Sequence, residues 1–278
     1  MSTENNPVLY EKRGSVALIT LNRPESLNAL SGNLWEGWVN ALATANGDEE
    51  VGAIVVTGAG RAFSVGGDMV ESFLPKLRGE TPYEEDDHRL GGLGLPFDWV
   101  SILRESKPVI AAVNGIAVGG GITSILPCDM IVASQEASFG FVFVKVGIVP
   151  ELCSSHYLSA RVGFAKASEL MLTGRVIDAG EALEIGLVNQ VVEPDSLLEK
   201  ALEQAAMIAQ NPGPMLALTK TLIDENLHES DTSAIWRRES DALRSCFSLP
   251  EHREAVDAFL EKRRPDFAAA RARAGAKD

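Results

Sequence analysis

Residues 107–134, KPVIAAVNGIAVGGGITSILPCDMIVAS, decide the fold of this chain. They contain two apolar runs, residues 108–115 and 129–134, each short enough to be a buried strand. Three consecutive glycines at positions 119–121 lie between the runs. Continuous apolar strands that are separated by helical or looped segments are typical of parallel sheets. This stretch therefore predicts an α/β fold.

The same alternation extends over the first two-thirds of the chain. Residues 15–22 and 52–58 predict two further strands, and Ser31 is a candidate N-cap of the helix between them. After about Val192 the pattern changes to four helical segments with proline or polar breaks. We expect a core of residues 1–192 and a helical region of residues 193–278, with a frayed Ala/Arg-rich tail.

Composition limits the possible functions. The 278 residues are 45% hydrophobic and 23% charged, which is ordinary for a globular protein. A net charge of −14 argues against a nucleic-acid partner. We find no secretory signal and no apolar run that approaches the roughly 20 residues of a membrane span. The three cysteines are scattered, so we expect a cytoplasmic protein without a metal site.

Two glycine clusters are the first candidate site. After the strand at residues 52–58, Gly58 and Gly60 suggest a dinucleotide fingerprint, but Phe63 holds the place of its third glycine. Residues 66–68 and 119–121 each offer backbone N–H groups that no side chain blocks. Two such groups converging on one oxygen form an oxyanion hole, although each cluster alone is more simply a turn.

Several motifs in order carry a family resemblance. RAFSVGGDM (residues 61–69) precedes residues 107–134, and ASFGFVFVKVGIVPE (137–151) and LTGRVIDAGEALEIGLVNQVV (172–192) follow. Over nearly its whole length the chain resembles the crotonase (enoyl-CoA hydratase/isomerase) superfamily. The resemblance implies a crotonase-like spiral of ββα-type repeats with a C-terminal helical trimerisation region. It also implies self-association as a trimer or a dimer of trimers.

The resemblance also implies a substrate and its binding residues. The substrate is an acyl-CoA, so coenzyme A enters as a thioester and no cofactor is bound. The oxyanion donors match Gly67 and Gly120. Backbone that contacts the adenine in the family matches Ala62, Ser64 and Gly66, and helix residues that contact CoA, frequently in a neighbouring subunit, match Phe259 and Lys262. The simpler alternative for Lys262 is an exposed helix charge.

The catalytic acids distinguish the reactions within the family. Typical hydratases use two glutamates, and their positions here hold Thr123 and Phe143. Neither side chain can act as the general base of water addition. Glu151, in the sequence PELCSS, matches the single base of peroxisomal-type 3,2-enoyl-CoA isomerases. Phe141 and Phe143 would be apolar walls that make this carboxylate more basic, and Pro150 would open a helix with Glu151 in its first turn.

Three functional hypotheses follow. The leading one is the isomerisation of 3-enoyl-CoA to trans-2-enoyl-CoA with Glu151 as the acid/base. The second is an enoyl-CoA hydratase, and the third is a catalytically weak acyl-CoA-binding protein. His156 is predicted to have a structural or surface role. His88 directly follows the acidic run at residues 84–87, and this charged stretch is predicted to be a solvated helix start.

Overall fold

The computed structural model describes residues 6–80 and 97–275. The chain divides into two compact units, and the boundary in sequence lies between Ile208 and Ala209. The strands of the described residues are β1 (Val8–Arg13), β2 (Val16–Leu21), β3 (Ala53–Gly58), β4 (Ala62–Ser64), β5 (Val109–Val113), β6 (Ile116–Val118), β7 (Met130–Ser134), β8 (Ser138–Gly140), β9 (Val176–Asp178) and β10 (Gln190–Val192). The helices are α1 (Gly32–Gly47), α2 (Leu74–Leu77), α3 (Trp99–Glu105), α4 (Gly120–Thr123), α5 (Ser154–Thr173), α6 (Ala179–Glu184), α7 (Leu197–Ala209), α8 (Gly213–Asn226), α9 (Thr232–Cys246), α10 (Pro250–Leu260) and α11 (Phe267–Gly275).

Three pairs of consecutive strands in the first unit divide between two sheets. One sheet has the order β1-β2-β3-β5-β7-β10 and the other has the order β4-β6-β8-β9. The pairs β3/β4, β5/β6 and β7/β8 therefore each place one strand in each sheet. β2, β3, β5 and β7 are mutually parallel, as the apolar runs predict, while β1/β2 and β8/β9 are antiparallel. The α/β spiral is confirmed.

The larger sheet and α1 enclose the core. Ser31 caps α1 by accepting a hydrogen bond from the backbone N–H of Leu34, as expected from its position. Trp35 and Trp38 of α1 pack against Trp99 of α3. The ring centroid of Trp99 lies 4.7 Å from that of Trp35 and 4.5 Å from that of Trp38. Edge-to-face aromatic pairs of this kind add to the stability that apolar burial supplies. They fix α1 and α3 around the sheets that carry the site.

The second unit is helical, as predicted, and contains α8 to α11. α7 lies almost entirely in the first unit. The two units therefore divide after residue 208, whereas the sequence pattern indicates a division after residue 192. No described helix is long and apolar enough to cross a bilayer.

The expectation of a frayed tail is wrong up to Gly275, where α11 ends. Arg271 and Arg273 reach the buried carboxylates of Glu251 and Glu254 on α10, at 3.3 and 3.2 Å. A buried carboxylate is unfavourable unless it is paired, so these contacts hold α11 in place.

Candidate active site

The two glycine clusters follow neighbouring strands of the smaller sheet. β4, β6 and β8 lie side by side and are parallel. The carboxyl ends of parallel strands share one edge of a sheet, and ligands of open α/β sheets bind at such an edge. Gly66 lies two residues beyond β4, and Gly119 directly follows β6. The fold thus brings together glycines that are about fifty residues apart in sequence.

The glycine clusters are in direct contact. Gly66 has a positive φ of 84°, and a Cβ atom there would lie 2.8 Å from the nitrogen of Gly120 and 2.9 Å from the oxygen of Val118. Both the conformation and the space therefore require glycine. A Cβ atom at Gly120 would lie 3.5 Å from Oε1 of Glu151. The second glycine cluster and the candidate base consequently border the same site.

The geometry leaves the N–H groups of Gly67 and Gly120 available. Gly120 begins α4, so its N–H has no partner within the helix. Gly67 forms a parallel bridge with Leu30, but the hydrogen bonds use the flanking groups, Leu30 N to Gly66 O and Asp68 N to Leu30 O. No hydrogen bond within the described part of the chain uses either N–H group. Both are suited to donate to a developing oxyanion.

Glu151 lies in a tight turn that precedes α5. Leu152 and Cys153 both have positive φ, 53° and 55°, and the N–H of Ser154 donates to the carbonyl of Glu151. The prediction that Pro150 opens the helix with Glu151 in its first turn is wrong, because α5 begins at Ser154. Non-glycine residues with positive φ are uncommon and cluster at functional sites. The turn thus supports a functional role for this carboxylate.

The Glu151 carboxyl group is buried and sparsely hydrogen-bonded. Its Oε1 accepts a hydrogen bond of 2.8 Å from Oγ1 of Thr123. Its Oε2 is buried and has no hydrogen-bond partner among the described residues. Burial raises the pKa of Glu151 to about 7, and the Thr123 hydrogen bond opposes that rise. A carboxyl group with a pKa near neutrality can take up and return a proton, which is what a general acid/base requires.

The comparisons with known proteins place this chain in a family. The sequence model of the enoyl-CoA hydratase/isomerase family matches residues 11–270. The chain belongs to the enoyl-CoA hydratase/isomerase family. It is 39% identical to a probable enoyl-CoA hydratase of Rhizobium meliloti over 260 residues, covering 94% of this chain and 97% of the relative. It is 34% identical to a crotonyl-CoA hydratase of Syntrophomonas wolfei, covering 96% and 99% of the two chains.

Solved structures of this family share the fold. The chain superposes on an enoyl-CoA hydratase subunit of Geobacillus kaustophilus with a TM-score of 0.82, at 34% identity and 95% and 99% coverage of the two chains. An enoyl-CoA hydratase of Bacillus anthracis gives 0.83 at 32% identity, with 94% and 98% coverage. The names of these family members favour the hydratase hypothesis over the leading isomerase hypothesis.

The predicted apolar walls are buried. Phe141 is fully buried, and Phe143, in the 3-10 turn Val142–Val146, is 4% exposed. Both belong to the main hydrophobic cluster. Phe141 directly follows β8, the third strand that ends at the edge bordering the site. That Phe141 and Phe143 form apolar walls beside the substrate stays a prediction.

The predicted adenine strip is built around a residue that sequence reasoning missed. Asn28 is fully buried, and its amide donates to the carbonyls of Ala59 and Ala62 at 2.9 and 2.8 Å. Its own carbonyl accepts a hydrogen bond from the Ser64 hydroxyl at 2.8 Å, and that hydroxyl also accepts from the N–H of Gly66. Asn28 therefore holds β4 and the Gly66 turn together. The only sequence signal is an asparagine in the stretch LNRPESLNAL (residues 21–30), with no indication of burial.

The remaining predicted residues are exposed or lie outside the described residues. Phe259 and Lys262 both belong to the second unit. Phe259 is 82% exposed near the end of α10, and Lys262, which follows the helix, is exposed and has a φ of 56°. His156 is exposed on α5, with its ring against Tyr157. His88 and the acidic run at 84–87 lie outside the described residues. Among those described, no group of three or more potential ligands is placed to hold a metal, and a metal-free site stays a prediction.

Proposed function

We propose that this protein isomerises 3-enoyl-CoA to trans-2-enoyl-CoA, with Glu151 as the single acid/base. The observation that carries the proposal is the Glu151 carboxyl group, which is buried beside Gly120 with Oε2 unpartnered among the described residues. Where the resemblance places the two glutamates of typical hydratases, this chain has Thr123 and Phe143. A double-bond shift needs one carboxylate, whereas the usual water addition needs two.

The proposed reaction balances with this one carboxylate. Oε2 of Glu151 removes a proton from the α carbon of the thioester, and the bonding electrons form a dienolate. The N–H groups of Gly67 and Gly120 stabilise the charge on the thioester oxygen. The protonated carboxyl group then returns the proton to the γ carbon, which leaves the double bond between the α and β carbons. Loss of one such N–H donor typically raises the barrier by about 3 kcal/mol.

Enoyl-CoA hydration is the second candidate. The names of the relatives favour it, since the Rhizobium meliloti and Syntrophomonas wolfei proteins are called hydratases and match this chain along nearly their full length. In that case Glu151 and an ordered water would replace the usual pair of acids. Acyl-CoA binding without turnover, the third hypothesis, gains support from the loss of both hydratase acids.

The experiment that tests the function uses two substrates. The purified protein is incubated with 3-hexenoyl-CoA and with crotonyl-CoA, and the conjugated enoyl thioester is followed by absorbance. We expect isomerisation of 3-hexenoyl-CoA that is lost in Glu151→Gln and retained in the matched exposed control Glu136→Gln. Rapid hydration of crotonyl-CoA without isomerisation would replace the first candidate by the second. An equally active Glu151→Gln variant would refute Glu151 as the base.

Self-association as a trimer or a dimer of trimers completes the proposal. Trp236, Leu243 and Phe247 are 72%, 57% and 61% exposed, and their spacing of seven and four residues places them on one face of α9 and its C-terminal end. Large apolar groups gathered on one exposed face are typical of an interface. Phe259 and Lys262 would then contact the CoA of a neighbouring subunit.

A further inference from the structure

Thr123 is the one side chain of the described residues that holds the Glu151 carboxylate. Thr123 ends α4 and is fully buried. Its Oγ1 lies 2.8 Å from Oε1 of Glu151 and 3.3 Å from the carbonyl of Gly119. A hydroxyl has a single proton, and a carboxylate is a stronger acceptor than a neutral carbonyl. The Thr123 hydroxyl therefore donates its hydrogen bond to Oε1 of Glu151, the closer of the two acceptors.

No cation shares this task within the described part of the chain. The groups that favour the ionised form of Glu151 are the Thr123 hydroxyl and the backbone N–H of Glu151 itself. A carboxylate tied by an arginine or a lysine would lose much of its basicity, whereas a neutral donor orients it and leaves it basic. The hydroxyl also engages one oxygen only. The other oxygen, Oε2, is buried and keeps its lone pairs without a protein partner among the described residues.

We propose that Thr123 is a positioning residue that ties Oε1 of Glu151 and thereby makes Oε2 the oxygen that removes and returns the substrate proton. This inference rests on the assignment of Glu151 as acid/base in the proposed function. It holds for isomerisation and for hydration alike, because both place a proton on or take it from the α carbon. By resemblance, position 123 carries a glutamate in typical hydratases. The inference gives this position a different task in this chain.

The test uses a half-reaction that needs no double bond. Butyryl-CoA is incubated in D₂O, and exchange of its α protons is followed by NMR across the pH range from 5 to 9. Exchange requires only a base at the α carbon and donors to the thioester oxygen. Wild type is compared with Thr123→Val, which keeps the shape and removes the hydroxyl, and with Thr123→Ser, which keeps the hydroxyl. Thr123→Ala serves the same comparison if the valine variant does not fold.

We expect the valine variant to lose about tenfold in maximal exchange rate, the effect of losing one hydrogen bond to a charged group. The KM should change far less than kcat, and the midpoint of the acidic limb should move upward because the ionised carboxylate has lost its donor. Serine should restore both parameters towards wild type. A folded Thr123→Val protein with the wild-type rate and midpoint would overturn the inference.

A second readout separates this inference from the proposed function. The infrared band of the protonated Glu151 carboxyl group is identified by its absence in Glu151→Gln and titrated without substrate. In Thr123→Val the band should shift in frequency and titrate at higher pH. Equal exchange by wild type and Glu151→Gln would refute the proposed function, while an unchanged infrared band would refute the role of Thr123.

Discussion

Glu151→Gln should stabilise the folded protein at alkaline pH and leave it unchanged at acidic pH. The folded-state pKa of about 7 lies above the ordinary value of 4.5 because burial penalises the charged carboxylate. Between those two values the folded chain holds a proton that the unfolded chain has lost. The free energy of unfolding therefore falls as the pH rises from 4.5 and levels off above 7.

The magnitude follows from the two pKa values. The gap between 4.5 and about 7, at about 1.4 kcal/mol for each pH unit, gives a penalty of about 3.5 kcal/mol in the ionised state. Glutamine has nearly the same shape and no charge, so it removes this penalty. Against a typical total stability of about 5–15 kcal/mol, the difference is readily measured.

The assay is urea unfolding followed by tryptophan fluorescence, at pH 5 and pH 8.5, at one protein concentration. The difference between Glu151→Gln and wild type should be about 1 kcal/mol or less at pH 5 and about 3.5 kcal/mol at pH 8.5. Glu136→Gln, an exposed site in the same unit, controls for the loss of one charge. A difference that is the same at both pH values would refute the burial argument, and with it the basis for Glu151 as a base poised near neutrality.

Three further predictions address the surrounding structure. Gly66→Ala should abolish activity and lower stability by about 2 kcal/mol or more, because a Cβ atom 2.8 Å from the nitrogen of Gly120 displaces that oxyanion donor; wild-type kcat/KM would contradict this. Glu254→Gln should lower the melting temperature at pH 7, since Arg263 and the N–H of Asp266 hold the pKa of Glu254 at about 2. That stabilisation is present above about pH 4.5 and lost as the pH falls towards 2, so the variant and wild type should converge in acid. Trp236→Glu should reduce the native mass in light scattering, and an unchanged mass would exclude this face as an interface.

Apolar runs made the four central strands of the larger sheet predictable. β2, β3, β5 and β7 are buried runs of five or six residues, and their composition alone indicates parallel strands. β4, β6 and β8 escaped prediction because each has three residues, too few to show a pattern. These short strands determine which glycines become neighbours. The residues of the site were thus recognisable from their motifs, while their contacts were not.

The Glu151 turn and the C-terminal tail differ from what their sequences indicate, for local and long-range reasons. Proline followed by glutamate favours a helix start, yet Leu152 and Cys153 adopt left-handed conformations that no propensity indicates. The tail was expected to fray because its own sequence contains only alanine and arginine patterns. It folds because Arg271 and Arg273 find carboxylates that lie about twenty residues earlier in the chain.

The identity of residue 123 determines how Glu151 titrates. A second carboxylate within hydrogen-bonding distance of Glu151 would share one proton with it, and the pair would titrate in two coupled steps. Thr123 stands at 2.8 Å from Oε1 and carries no charge, so Glu151 ionises in one step, at a pKa that burial sets near 7. Two acids can hold a water molecule while one of them moves a proton. A single carboxyl oxygen with no partner among the described residues is suited to take up a proton and return it. Threonine at position 123 therefore supports the proposed transfer of a proton along the acyl chain, which needs a single acid/base.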